Sequence, residues 1–206
     1  MMKENENVSS SNYWNEKYLK QDTTWDIKTA TPPLTNWLGK NKVKNEKVCI
    51  LGCGKGYDAI EFSDNGAQVW AVDFAPEPIH FLQKKSHELN LNIHTICGDL
   101  FDLGKNYSGF FTLIWEYTCF CAIDPVRRLE YRDLVYQILA KGGKFISLFF
   151  PILKKVEEGG PAYAVDLETT LEMFNEKFEI IEINAKPNSI LPRYGNEVLV
   201  TMVKRG

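Results

Sequence analysis

From Glu46 onward, short apolar runs alternate with longer stretches whose apolar residues recur at helical spacing. Runs at about 47–52, 67–73, 92–98, 110–116 and 143–150 read as strands, and stretches at about 56–65, 76–90 and 125–140 read as the helices between them. Strand and helix in strict alternation predict a parallel sheet covered on both faces, a doubly wound α/β fold. Beyond Pro151 the pattern changes. A polar, glycine-bearing loop leads to a helix near 166–176 and then to two runs, at about 178–185 and 197–204, joined by a further loop. These two predict an antiparallel hairpin at one sheet edge and bring the sheet to seven mostly parallel strands.

Upstream, apolar groups at Tyr13, Trp14, Tyr18 and Leu19 mark a short amphipathic helix. Pro32 and Pro33 open a second helix that ends near Gly39, because proline is tolerated in a first turn. The expected organisation is a disordered tail over 1–10 and a single domain over 11–206, with a helical N-terminal segment at about 11–40. Trp14, Tyr18 and Trp25 in that segment either cover an exposed edge of the core or form an aromatic lid over a ligand. Repeats and linkers rich in Pro, Gly or Ser are absent.

Composition narrows the class of partner. At 206 residues the chain supports one α/β domain with a full core and is short for two. A net charge of −3 offers no general attraction to nucleic acid or to an anionic membrane, so the expected partner is a small molecule and the expected state a monomer or weak dimer. No apolar run approaches the ~20 residues of a membrane span, and residues 1–10 lack the profile of an export signal. Cys49, Cys53, Cys97, Cys119 and Cys121 lie mostly within or at the ends of apolar runs and are odd in number, which fits reduced thiols in a cytoplasmic protein. Cys119 and Cys121 form a C-x-C pair with no second pair or nearby His, so core packing or pocket lining is expected there and no metal site.

The chemistry concentrates at the strand ends, where ligands of doubly wound sheets bind. Gly52, Gly54 and Gly56 follow the first strand and open a helical pattern, a tight turn whose bare backbone suits the close approach of a nucleotide-type ligand. The spacing is G-x-G-x-G, without the pyrophosphate-binding G-x-G-x-x-G or the ending of a P-loop, which disfavours a nicotinamide-dependent oxidoreductase. Asp73 ends the second strand, placed to accept both hydrogen bonds of a ribose diol; read blandly, it caps the helix that begins at Pro76. Asp99 and Leu100 follow the third strand, where an acid beside an apolar residue can hold an adenine; the bland reading is a turn acid that caps the next segment. Together these describe a site for an adenosine without a pyrophosphate.

Ile50-Leu-Gly-Cys-Gly-Lys-Gly56, Asp73 and Gly98-Asp99 resemble motifs of class I S-adenosylmethionine-dependent methyltransferases. Thr24-Trp25-Asp26 with Ala30-Thr31-Pro32, Phe120-Cys-Ala-Ile-Asp-Pro125 with Arg128, and Pro151-Ile152 with Gly159-Gly-Pro161 are similar to the thiopurine S-methyltransferase family. Within it they most resemble the plant halide, thiocyanate and thiol methyltransferase branch, over nearly the whole chain. The resemblance implies a Rossmann-like class I methyltransferase sheet and S-adenosylmethionine as cofactor, with S-adenosylhomocysteine as product. It implies that Trp14, Tyr18 and Trp25 form a lid over the methionine end of the cofactor. Gly52, Gly54 and neighbouring backbone then bind the methionine part, Asp73 the ribose, Asp99 and Leu100 the adenine, and Tyr117 also contacts the cofactor. Arg128 matches an arginine lining the cofactor and substrate cavity; otherwise it is a surface charge on the helix from 125. Tyr117, Arg128 and Phe150 are thus the substrate-pocket candidates.

The implied reaction is in-line displacement of the sulfonium methyl by a soft nucleophile such as a thiol, thiocyanate or related sulfur anion. An anionic acceptor needs no strong general base, and the protein contributes alignment and a dry, aromatic-walled cavity. Trp115, Phe120, Phe149, Phe150 and Tyr163 are candidate walls. In the plant branch a tyrosine precedes the proline matched by Pro151, whereas this chain has Phe150. Glu116 either orients a substrate or caps the following turn. Methylation of a halide, a metalloid anion or a thiopurine-type heterocycle is the alternative within enzymes, and a non-catalytic cofactor-binding module the alternative outside them.

Overall fold

The apolar run Val48, Cys49, Ile50 and Leu51 lies at the heart of a seven-stranded sheet in a computed structural model that describes residues 8–206. Strand β1 (Lys47–Leu51) pairs in parallel with β2 (Gln68–Asp73) on one side and β4 (Phe111–Tyr117) on the other. Beyond β2 lies β3 (Ile93–Cys97), and beyond β4 lies β5 (Leu139–Phe149), both parallel to their neighbours. The last two strands, β6 (Phe178–Asn184) and β7 (Val198–Lys204), complete the order β3-β2-β1-β4-β5-β7-β6. β7 runs antiparallel to both β5 and β6, so the expected edge hairpin is present with its second strand inserted beside the parallel body. Helices α1 (Ser11–Leu19), α2 (Pro32–Leu38), α3 (Tyr57–Asp64), α4 (Pro76–Glu88), α5 (Arg128–Ile138) and α6 (Leu167–Asn175) flank the sheet.

Strand geometry divides the core in two. Successive side chains point to opposite faces. Val48 and Ile50 therefore pack with Leu34, Ala59, Phe62, Leu82 and Trp115 on one face, while Cys49 and Leu51 pack with Tyr131, Val135, Phe145 and Phe174 on the other. Burial on both faces explains why these strands read as continuous apolar runs.

Three local differences from the sequence expectation have physical causes. β5 begins at Leu139 rather than near 143, because a register irregularity against β4 absorbs Lys141, Gly142 and Gly143, with Gly142 at φ 70°. Helix α5 accordingly ends at Ile138, and it is preceded by a separate 3-10 turn, Pro125–Arg127. A further 3-10 turn, Leu100–Lys105, occupies what the sequence pattern leaves as a loop. Of the tail expected over 1–10, residues 1–7 lie outside the described residues. Val8 is buried, and its carbonyl accepts a 2.8 Å hydrogen bond from Trp14 Nε1.

Candidate functional site

Strand β1 ends at Leu51 and the chain turns through 52–56 before α3. Gly52 and Gly54 have φ of 60° and 52°, the left-handed region that side chains avoid. Both are also crowded: a Cβ on Gly52 would lie 2.7 Å from Cys119 Sγ, and one on Gly54 would lie 2.9 Å from Tyr18 Oη. The turn is pinned to the next strand, since Cys53 N donates to Val72 O at 2.8 Å and Gly54 N to Asp73 Oδ2 at 2.7 Å. Asp73 Oδ1 accepts from Ala75 N at 2.9 Å. Burial raises the Asp73 carboxyl to about 6 despite these donors. Each carboxylate oxygen has a second acceptor direction, so backbone pinning and a ribose diol are compatible at this side chain.

The third strand end is built similarly. Asp99 Oδ1 accepts from Phe101 N at 3.0 Å and so caps the turn Leu100–Lys105, while Asp99 and Leu100 both line the cavity. The Arg127 guanidinium lies 3.6 Å from the Phe101 ring centroid and is held by Glu130 at 2.8 and 3.1 Å. Across the cavity, Trp14, Tyr18 and Trp25 form an edge-to-face series with centroids 5.7 Å and 5.9 Å apart. Trp25 Nε1 donates to Tyr18 Oη at 3.3 Å, and all three rings line the cavity.

At the opposite end stand Tyr117, Phe150 and a residue that sequence reasoning missed, Arg193. Arg193 is buried in the loop before β7 and donates Nη1 to the Tyr117 hydroxyl and Nη2 to Trp25 O, the latter at 3.0 Å. Its guanidinium lies 4.8 Å from the Tyr117 ring centroid and 5.0 Å from that of Phe150. Burial pushes the Tyr117 phenol well above its ordinary range, so it remains protonated. Asp58 was also missed, because an acid in the first turn of a helix reads as an ordinary dipole partner. It is buried and accepts from Thr31 N at 2.7 Å, Thr31 Oγ1 at 3.0 Å and Trp115 Nε1 at 2.8 Å, with its carboxyl pushed up to about 6 by burial.

Arg128 departs from expectation. It does not line the cavity; Nη1 donates to Ala164 O at 3.0 Å and the guanidinium lies 4.7 Å from the Phe120 ring centroid. Neighbours on a helix point about 100° apart, so with Arg127 facing the cavity Arg128 turns toward the loop before α6. Among the proposed aromatic walls, Trp115 and Phe150 line the cavity, whereas Phe120 and Phe149 are buried in the core and Tyr163 is not in the wall. Glu116 caps a turn: Oε1 accepts from Cys119 N at 2.7 Å and Phe120 N at 2.9 Å, and Oε2 accepts from Ser147 Oγ.

The cavity these elements enclose has a volume of about 570 Å³ and runs from Asp99 through the glycine turn to Arg193. All five thiols are free, and among the described residues no group of three His, Cys, Asp or Glu is placed to hold a metal ion. No helix among the described residues is long and apolar enough to cross a membrane.

A sequence profile of thiopurine S-methyltransferases (TPMT) matches residues 9–204. The chain belongs to the thiopurine S-methyltransferase family. A probable thiol methyltransferase 2 of Arabidopsis thaliana is 29% identical over 193 residues, covering 93% of this chain and 84% of the relative. Thiocyanate methyltransferase 1 of the same plant is 26% identical, covering 90% and 82%. A thiopurine S-methyltransferase of Nitrosospira multiformis is 22% identical, covering 82% of each chain. Among solved structures, the 1,6-didemethyltoxoflavin-N1-methyltransferase of Burkholderia thailandensis, with bound substrate and S-adenosylhomocysteine, superposes with a TM-score of 0.78 at 17% identity, covering 97% of this chain and 88% of its own. A methyltransferase from Clostridium acetobutylicum superposes at 0.70 with 16% identity, covering 94% and 99%. The fold is the class I methyltransferase fold, and the protein is an S-adenosylmethionine-dependent methyltransferase. The cavity fits that cofactor: Gly52 and Gly54 line it, Asp73 keeps acceptor capacity, and its volume lies within the range of small-molecule sites.

Proposed function

We propose that the protein methylates a small sulfur nucleophile, a thiol, thiocyanate or related sulfur anion. The observation that carries this reading is the buried Arg193 guanidinium beside Tyr117 and Phe150, in the same cavity as the glycine turn and Asp73. Asp73 and Asp99 would hold the ribose and the adenine, Gly52 and Gly54 the methionine backbone, and Trp14, Tyr18 and Trp25 would act as the lid. Bound there, S-adenosylmethionine supplies an electrophilic methyl group on a sulfonium.

The remaining work belongs to the chain. A buried arginine favours the anionic form of a thiol and lowers its pKa in the site, so a strong base is not required. Asp58 is unsuited to that task, since three donors occupy its oxygens. Phe150, Trp115 and the lid rings exclude water from the anion, which raises its reactivity, and their π faces favour a cation. The reading extends to a cytoplasmic enzyme, supported by five free thiols, acting as a monomer or weak dimer.

The test is an acceptor panel of aryl and alkyl thiols, thiocyanate, iodide and a thiopurine, read as S-adenosylhomocysteine release and as methylated product. Thiols are expected to turn over best, with rates rising with pH to a plateau below the free thiol's own ionisation. Phe150→Tyr is expected to raise thiocyanate and iodide turnover relative to thiol. Preference for iodide by the unaltered protein would overturn the sulfur assignment.

A further inference from the structure

Residues 20–31, between α1 and α2, form a strap without regular secondary structure that carries Trp25 over the cavity. Its two ends are tied to the body. On α1, Asn15 Oδ1 accepts from Glu77 N at 3.0 Å, and at the far end Thr31 is bound to Asp58. Between them an ion pair ties the strap to the glycine turn. Asp26 Oδ2 lies 2.9 Å from Lys55 Nζ, and Lys55 belongs to the glycine turn. This contact, more than any other, holds the Lys55 ammonium above its ordinary range.

The same segment reaches the opposite end of the cavity. Asp26 N donates to Thr23 O at 2.9 Å and Asp26 Oδ1 accepts from Lys28 N at 2.8 Å, which makes 23–28 a tight turn around the carboxylate. The carbonyl immediately before Asp26, that of Trp25, accepts from Arg193 Nη2. A shift of Asp26 therefore moves a contact that helps aim the Arg193 guanidinium.

We propose that the Asp26–Lys55 pair is a clasp that holds the strap closed and, through the Trp25 carbonyl, positions Arg193, so that closure over the donor completes the acceptor site. Asp26 is thus a positioning residue. The inference rests on the reading of Arg193 as the acceptor's cation. Its energetics suit a reversible device. The Asp26 carboxylate is 6% exposed and Lys55 27%, so the pair is screened less than a surface pair, yet both charges regain hydration when the strap opens. A tie of this kind holds without locking, as a strap over an exchanging ligand requires.

The experiment compares Asp26→Asn, Lys55→Met, their combination and the charge-swapped Asp26→Lys with Lys55→Asp. Acceptor KM and kcat are measured at saturating donor, S-adenosylhomocysteine affinity by calorimetry, and cleavage of the strap by trypsin after Lys20 and Lys28 with S-adenosylhomocysteine present. Each single change is expected to raise acceptor KM by about tenfold with kcat changed less than about twofold, within the usual span of coupling between sites. The two should be non-additive when combined, strap cleavage should be faster in the single variants, and the swap, which itself adds a trypsin site at 26, should restore part of the loss in acceptor KM. Unchanged acceptor KM, additive effects, or equal losses in acceptor KM and product affinity would overturn the clasp. If the unaltered protein methylates no thiol, the functional reading fails by itself, and the cleavage rates still decide whether the pair closes the strap.

Discussion

Asp73 shows how much one side chain carries. Its oxygens accept from Gly54 N and Ala75 N, so it shapes the glycine turn before any ligand arrives. Asp73→Ala is expected to weaken S-adenosylhomocysteine binding by about 1–3 kcal/mol through lost charge-assisted bonds, as calorimetry would measure. Binding should also depend on pH in a stated direction. The free carboxyl titrates at about 6, and ribose hydroxyls favour its ionised form, so affinity should fall as pH drops below 6, by up to about tenfold per pH unit. A flat profile between pH 5 and 7 would remove Asp73 from the ribose role. Its position was legible because a strand-end acid at a set distance from a glycine turn has a local signature. Arg193 has none: it ends a single 3-10 turn, Leu191–Arg193, and only the packing of that turn against Tyr117 and Trp25 gives it a partner.

At the scale of elements, the turn at 52–56 owes its shape to its neighbours as much as to its glycines. Gly52→Ala would place a methyl 2.7 Å from Cys119 Sγ on a backbone at φ 60°, and Cys119 sits in a buried turn that Glu116 caps. The expected cost is about 1–3 kcal/mol from overpacking, seen as a lower urea midpoint, together with weaker product binding. A neutral variant would show that the Glu116-capped turn yields readily. The central strands β1, β2 and β4 were legible because burial on both faces writes them as apolar runs. The irregularity in β5 was not, since Lys141, Gly142 and Gly143 interrupt the apolar pattern while their backbone stays in the strand. The family resemblance singled out Arg128, whereas the 3-10 turn Pro125–Arg127 leaves Arg127 lining the cavity.

At the scale of the whole molecule, the buried acids set the pH response of the fold. Asp58 and Asp73 both titrate at about 6 when folded, above the value of an unfolded aspartate. Between roughly pH 4 and 6 the folded state therefore binds more protons than the unfolded state, and these groups lose stability for the protein as pH rises through that window. Asp58→Asn removes one of them, so the advantage of the unaltered protein over this variant should shrink from pH 5 to pH 7.5 in urea melts. A constant gap would place the Asp58 carboxyl nearer its ordinary value. The sequence alone determined the alternation that makes a doubly wound sheet, the glycine turn and the strand-end acids, because each depends on residues near one another in the chain. The tertiary structure decided that Arg193 rather than Arg128 lines the cavity beside Tyr117 and Phe150, that Asp58 ties Thr31 to Trp115, and that Asp26 meets Lys55. Those contacts join segments far apart in sequence, and the free energy that selects them arises only once the chain has packed.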